Sequence, residues 1–232
     1  MHLIYMTYFQ KATMLPFREL YPLVVADVAL LSINEQGLRV LLVQRSEAPE
    51  LHSWALPGGL LQPEVDDSLE ATARRVLRQK VSVDIPYLEE VGTFSGPHRD
   101  PRGWSIGVLF YALLPRDQIN ALVKDKVQAL TWAAADQPEQ ALAFDHALQL
   151  SAALKALRDK VERHALPLHL LPERFTLGEL QRTCEAILGR PLDKSVFRRR
   201  LKGSEDLIAV DEFLRGSQRP AQFFSAREGF VF

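Results

Sequence analysis

The sequence predicts an α/β domain followed by a small domain of two helices and a β-hairpin, and three observations lead there. The apolar run Leu23 to Leu31, with a second at Leu38 to Val43, reads as neighbouring strands, the first of them buried. Leu166 to Pro172 holds two prolines five apart, which deny helix continuation and separate two differently patterned regions. Beyond that break, Phe175-Thr176-Leu177-Gly178-Glu179-Leu180 carries a complete helix-start signature. The expected division is an N-terminal extension over 1–20, the α/β domain over 21–166, a linker over 167–174 and the small domain over 175–232.

Composition agrees with two modest cores, since 232 residues at 47% apolar and 25% charged describe an ordinary globular chain. A net charge of −1 gives no global field toward nucleic acid or an anionic membrane, so any such affinity must come from a local patch. One cysteine, Cys184, excludes an internal disulfide and is expected in the core. No stretch reaches the roughly twenty apolar residues of a membrane-spanning helix, and Met1 to Phe9 lacks a leading basic region, so a cytoplasmic protein without membrane contact is expected.

Taken in order, Asn34-Glu35-Gln36-Gly37 supplies the turn between the first two strands. A helix is expected over Ser68 to Lys80, with Leu69, Ala73, Val76 and Leu77 on one side and Asp67 or Ser68 as its cap. Further strands follow at Glu89–Phe94, Ser105–Leu114 and Val127–Ala133, then a helix over Phe144–His164. In the small domain Thr176 and Glu179 form a capping box, and Phe175 with Leu180 a hydrophobic staple. That helix is expected to stop at Gly189, and a second to run from Pro191 to Lys202. Its wheel puts Leu192, Val196, Phe197 and Leu201 on one half and Lys194, Ser195, Arg198, Arg199 and Lys202 on the other, leaving Asp193 and Arg200 in the apolar arc. With Leu207–Val210 and Ala221–Phe224 as a hairpin, the pattern is a winged helix-turn-helix.

Pro57-Gly58-Gly59 running into Asp66-Asp67-Ser68-Leu69-Glu70, with Arg75 beyond, resembles a Nudix box, G-x5-E-x7-R-E-U-x-E-E-x-G-U. Aligning Arg75 on the box arginine puts Val76, Gln79, Lys80 and Ser82 where it asks for three glutamates and a glycine, and Asp67 lies two residues too far from Gly59. The resemblance covers about residues 20 to 165 and implies an α+β Nudix sandwich with a mixed sheet. Nudix enzymes cleave diphosphates by gathering carboxylates around Mg²⁺, a hard cation that wants oxygen ligands. A lysine at a metal-binding position would repel that cation, so a catalytically inactive domain without a required cofactor is expected. Glu64, Asp67 and Glu70 are then expected to cap and solvate the helix, and Arg75 to turn to Asp67, Glu70 or a ligand.

The whole chain, through Asp100-Pro101-Arg102-Gly103-Trp104-Ser105, Phe175–Leu180, Gly189–Leu201 and Arg219-Pro220-Ala221, resembles the Nudix-related transcriptional regulators of NAD metabolism. That resemblance implies a homodimeric repressor on a palindromic operator, released when the Nudix domain binds ADP-ribose or a related nucleotide. It implies a ligand pocket of Arg45, Gly58, Gly59, Arg75, Arg99, Arg102 and Trp104. Arginine forks suit a diphosphate and an indole offers a face for a base or ribose. For DNA, Lys194, Ser195 and Arg198 are expected at base edges and Thr176, Arg199, Lys202 and Arg219 at phosphates. The stretch Arg190 to Lys202 holds six cations opposed only by Asp193, a local footprint for phosphate. Two alternatives stand beside this reading: a regulator of the same architecture sensing a sugar or phosphosugar, and an active ADP-ribose pyrophosphatase whose metal site is rebuilt from Glu64, Asp66, Asp67 and Glu70.

Overall fold

In the computed structural model residues 21–115, 127–214 and 220–232 are described; the expected N-terminal extension over 1–20 and the expected phosphate contact Arg219 lie outside them. The first domain is a mixed sheet between two helices. Strands β1 (Leu23–Asn34) and β2 (Gly37–Arg45) form a hairpin whose turn is tied by Asn34 Oδ1, which accepts from the Gln36 amide at 2.8 Å. β3 (Trp54–Ala55) and β4 (Gly58–Leu60) are short and had no periodicity to announce them. Helix α1 (Leu69–Val81) leads to β5 (Tyr87–Gly96), β6 (Ser105–Leu113), β7 (Val127–Ala134) and helix α2 (His146–Glu162). The strand order is β3-β2-β1-β6-β5, with β4 also on β1 and β7 on β2. β1 pairs with β6 in parallel, and the other pairs are antiparallel.

The sheet is covered on both faces, which is why β1 reads as one apolar run rather than an alternation. Its Ala26, Val28 and Leu30 meet Ala73, Leu77 and Val81 of α1, while Ala29 and Leu31 face Leu150, Ala153 and Leu157 of α2. Ser68 caps α1, accepting from the Ala71 amide at 3.0 Å, and so settles the choice between Asp67 and Ser68. Helix α2 begins at His146 rather than Phe144, because Phe144 sits at φ 55°, outside the right-handed helical region.

The expected linker is packed into the structure: a 3₁₀ turn at Leu168–Leu170 buries Leu168, Leu170 and Leu171 in the same cluster as α2. The second domain is β8 (Phe175–Thr176), helix α3 (Leu177–Leu188), helix α4 (Lys194–Leu201) and the hairpin β9 (Leu207–Leu214) and β10 (Ala221–Ala226), in the order β8-β10-β9. The capping box of Thr176 and Glu179 is present, and Gly189 ends α3 at φ 67°. Cys184 is fully buried, and burial pushes its thiol up to about 12.

Helix α4 starts three residues later than Pro191, because Asp193 is its N-cap and accepts from the Val196 amide at 2.7 Å. That role explains an acid in the apolar arc. Arg200 is accounted for by its guanidinium 5.1 Å over the Phe197 ring and 3.0 Å from His164 Nδ1. Val196, expected inside, is 52% exposed.

Ser82 ends α1 in the left-handed conformation (φ 57°, ψ 30°) that glycine adopts without a Cβ penalty, and its hydroxyl is buried without a hydrogen-bond partner. Ser82→Gly is therefore expected to stabilise the fold by about 0.5–1 kcal/mol. The thermal midpoint should rise by about 1–4 °C. A lowered midpoint would mean that the cap costs the native chain nothing.

Candidate functional site

A cleft of about 690 Å³ opens beside β1, walled by the C-terminal half of α1, the end of β2, the glycine strand β4 and the loop around Arg99 to Arg102. The glycine pair makes this geometry possible. A Cβ on Gly58 would lie 2.0 Å from Asp27 Oδ1, and one on Gly59 would lie 2.8 Å from Val76 Cγ2. Only glycine lets β4 lie this close to β1 and α1.

The floor of the cleft is a buried polar network that the sequence reading missed. Asp27, 4% exposed, accepts from Gln149 Nε2 at 3.1 Å and lies 3.8 Å from His146 Nε2 and 3.9 Å from Arg99. Arg99 grips Asp145 with two bonds of 2.8 Å, and Gln149 also donates to Asp145 at 2.9 Å. Burial pushes the Asp145 carboxyl up, yet the hydrogen bonds from Arg99 and Gln149 outweigh it and hold it below the carboxylate range. The Leu56 amide donates to His146 Nδ1 at 2.9 Å, and burial lowers the imidazole's pKa, so the ring is neutral with its proton on Nε2 toward Asp27. One signal was available: Asp27 is a carboxylate inside an otherwise apolar buried strand, and such a group must find partners.

The expected ligand residues divide into three groups. Arg45, Gly58, Gly59, Arg75, Arg99 and Arg102 all line the cleft. Trp104 does not; it is 48% exposed, and its carbonyl accepts from the Leu23 amide at 2.9 Å. Among the arginines, Arg99, Arg75 and Arg102 are each held by a carboxylate. Arg75 holds Asp66 at 2.7 and 2.6 Å and donates to Leu60 O at 2.9 Å. That partner is Asp66, not Asp67 or Glu70, because Asp66 is buried where it also accepts from the Gln62 amide and the Thr72 hydroxyl, while Asp67 is exposed. The Arg75 hydrogen bonds hold the Asp66 carboxyl far below its ordinary range. Arg102 pairs with Asp100 and is partly exposed, and Arg45 lies 5.0 Å over the Phe144 ring with its pKa lowered by burial and then by Arg102. These two arginines form the accessible cationic rim.

On α1 the altered box positions have definite uses. Val76 is buried beneath Gly59, Gln79 accepts from Arg75 at 3.1 Å, and Lys80 donates from Nζ to the Gly58 carbonyl. The four acids of the rebuilt metal site are not gathered: Asp66 is held by Arg75, Glu70 pairs with Arg74 at 2.9 Å, and Glu64 and Asp67 are exposed. Among the described residues no group of three His, Cys, Asp or Glu could hold a metal ion.

The second candidate surface is α4. Phe197 and Leu201 are buried, whereas Lys194, Ser195, Arg198, Arg199 and, just beyond the helix, Lys202 are exposed. Among the described residues none of these four cations forms an ion pair, unlike Arg190, which is held by Glu162 at 2.6 Å. Thr176 departs from expectation: it is buried, and its hydroxyl accepts from the Glu179 amide and donates to Glu179 Oε2 at 2.9 Å, so it has no capacity left for a phosphate.

With this geometry in place, comparison with known proteins is informative. The NUDIX domain family matches residues 23–154, and the NrtR DNA-binding winged helix domain matches residues 167–226. The ADPR responsive transcriptional repressor NtrR of Acinetobacter baylyi is 40% identical over 204 residues, spanning 88% of this chain and 81% of that protein. The Shewanella oneidensis NrtR complexed with a 27mer DNA superposes with a TM-score of 0.77 at 35% identity, covering 88% of this chain and 93% of that one. The NUDIX domain of the same Shewanella protein complexed with ADP ribose gives a TM-score of 0.54 at 35% identity, over 63% of this chain and 96% of that one.

The neutral His146 sets a pH dependence. Its folded pKa is lowered, so as pH falls through about 6.5 the unfolded chain takes up a proton that the folded chain refuses, and stability falls. His169, also lowered by burial, acts in the same direction. Urea unfolding between pH 7 and 5.5 should lose up to about 1.4 kcal/mol per pH unit for each such histidine. His146→Asn should flatten that limb, and an unchanged slope would show that His146 is protonated in the folded protein.

Proposed function

This chain belongs to the Nudix-related transcriptional regulators with an NrtR winged helix, and from that membership we propose that it is a sequence-specific DNA-binding repressor of NAD-metabolism genes. Its Nudix domain senses ADP-ribose or a closely related nucleotide and does not hydrolyse it. The observation that carries the reading is the α4 surface: exposed cations without an ion pair among the described residues, on a chain whose net charge is −1. Such a face attracts phosphate by local charge, and an exposed helix of this kind is what a major groove admits.

In this reading Lys194, Ser195 and Arg198 meet base edges while Arg199 and Lys202 hold phosphates. One small winged helix contacts few base pairs, so a homodimer on an inverted repeat is the arrangement that supplies enough contact. The relatives' names supply ADP-ribose as the effector, and the rim arginines Arg45 and Arg102 suit a diphosphate. The absence of gathered acids among the described residues supports binding over cleavage.

Fluorescence anisotropy on the chain's own upstream DNA and on NAD-biosynthesis promoters, at fixed salt, tests the proposal. Tight binding that ADP-ribose weakens by about 5- to 150-fold is expected. Binding indifferent to ADP-ribose but reversed by a sugar or phosphosugar would move the effector elsewhere, and AMP release from ADP-ribose would overturn the non-hydrolytic reading. Arg198→Ala should weaken operator binding by about 1–3 kcal/mol and relax preference at one base pair. Equal weakening on all sequences would assign Arg198 to the backbone.

A further inference from the structure

Helix α1 carries a cation, Lys80, where the Nudix box places a carboxylate. A divalent ion in this cleft would need several hard oxygen ligands. The side chains at the three glutamate positions of the box are instead an apolar group buried beneath Gly59, an amide held by Arg75, and the ammonium of Lys80 bonded to the Gly58 carbonyl. The remaining buried acid of the segment, Asp66, is spent on Arg75. The residues present therefore do not fit Mg²⁺, and a positive charge already stands beside the Gly58 carbonyl.

We propose that the Lys80 ammonium is the resident cation of this cleft, so that the diphosphate of the nucleotide effector is bound without a metal ion. This rests on the effector reading above and adds to it a residue and a chemistry. Lys80 comes from the last turn of α1 and lines the same cleft as the rim arginines Arg45 and Arg102. A fixed ammonium supplies to a diphosphate oxygen the charge that a metal would otherwise bring, through a charge-assisted hydrogen bond, and it does so with no activation of water.

Isothermal titration of the full-length protein with ADP-ribose, once with excess EDTA and once with millimolar Mg²⁺, tests this. Equal affinities within about twofold are expected for the native chain. Lys80→Gln should weaken binding by about 10- to 100-fold. Lys80→Arg should hold it within a few-fold, and Lys80→Glu should bind only when Mg²⁺ is present. Binding of the native chain that collapses in EDTA, or full affinity in Lys80→Gln, overturns the assignment while leaving the effector reading intact. No binding of ADP-ribose to the native chain in either buffer overturns both. The EDTA arm needs no substitution, so it decides even if a variant fails to fold.

Discussion

Helix α2 places its apolar residues in one buried cluster with both the sheet and helix α3, and both domains depend on that packing. Leu150, Ala153, Leu154, Leu157 and Val161 belong to a cluster that reaches Leu31 and Leu113 of the sheet in one direction and Leu180, Cys184 and Ile187 of α3 in the other. Each large aliphatic group so buried contributes about 1.5–3 kcal/mol, and here the same helix serves two cores. Polar ties reinforce the seam: Arg158 donates to the Ile187 carbonyl at 2.7 Å, and Lys160 bonds to the Phe232 oxygen at 2.9 Å. The first turn of α2 meanwhile supplies His146 and Gln149 to the floor of the cleft. One rigid element thus touches the pocket at its start and the winged helix along its side. A ligand that changes the pocket and a DNA that changes the winged helix act on a shared body, the physical condition for reciprocal coupling.

Charge in this molecule is managed locally. Three of the arginines lining the cleft are each held by a carboxylate: Arg99 by Asp145, Arg75 by Asp66, Arg102 by Asp100. These pairs offset the mutual repulsion of the arginines and set the cleft's walls, and breaking either of the two buried ones, Arg99–Asp145 or Arg75–Asp66, would strand a buried charge at a cost of about 3–5 kcal/mol. The α4 face follows the opposite rule. Its cations are exposed and without ion pairs among the described residues, which costs little in water and leaves them available to phosphate. The same residue type is therefore structural in one domain and exposed to a partner in the other, and the difference lies in the neighbours.

Local signals were legible wherever one residue's chemistry fixes its own backbone. The capping box at Thr176, the stop at Gly189, the hairpin at Asn34 to Gly37 and the apolar strands all sit where side-chain type dictated. The errors came from long-range demands. Thr176 as a cap and as a phosphate ligand were both legible, but one hydroxyl cannot serve both, and burial by the strand pairing of β8 with β10 decided it. Asp193 looked misplaced on a wheel that began at Pro191; as a cap it lies outside the helix. The choice of Asp66 over Asp67 turned on which carboxylate the loop buries, and no spacing rule reports that. The cleft floor joins Asp27, Arg99 and Asp145 from three distant segments, so only the folded chain brings it together.

On helix α1 the residues that hold the fold can be told apart from those that face the cleft. The face of α1 that the sheet needs, Ala73, Leu77 and Val81, is apolar and intact, because any polar group there would be buried without a partner. Val76 extends that apolar face toward Gly59, a change that burial rewards once no metal has to be held. Gln79 and Lys80 stand on the cleft side, the first accepting from Arg75 and the second donating to the Gly58 carbonyl. Asp66 and Arg75 persist as a buried pair because their attraction fixes the loop that enters the helix, whatever lies beside it. This part of the fold is thus held by the apolar face and that buried pair, neither of which depends on what the cleft binds.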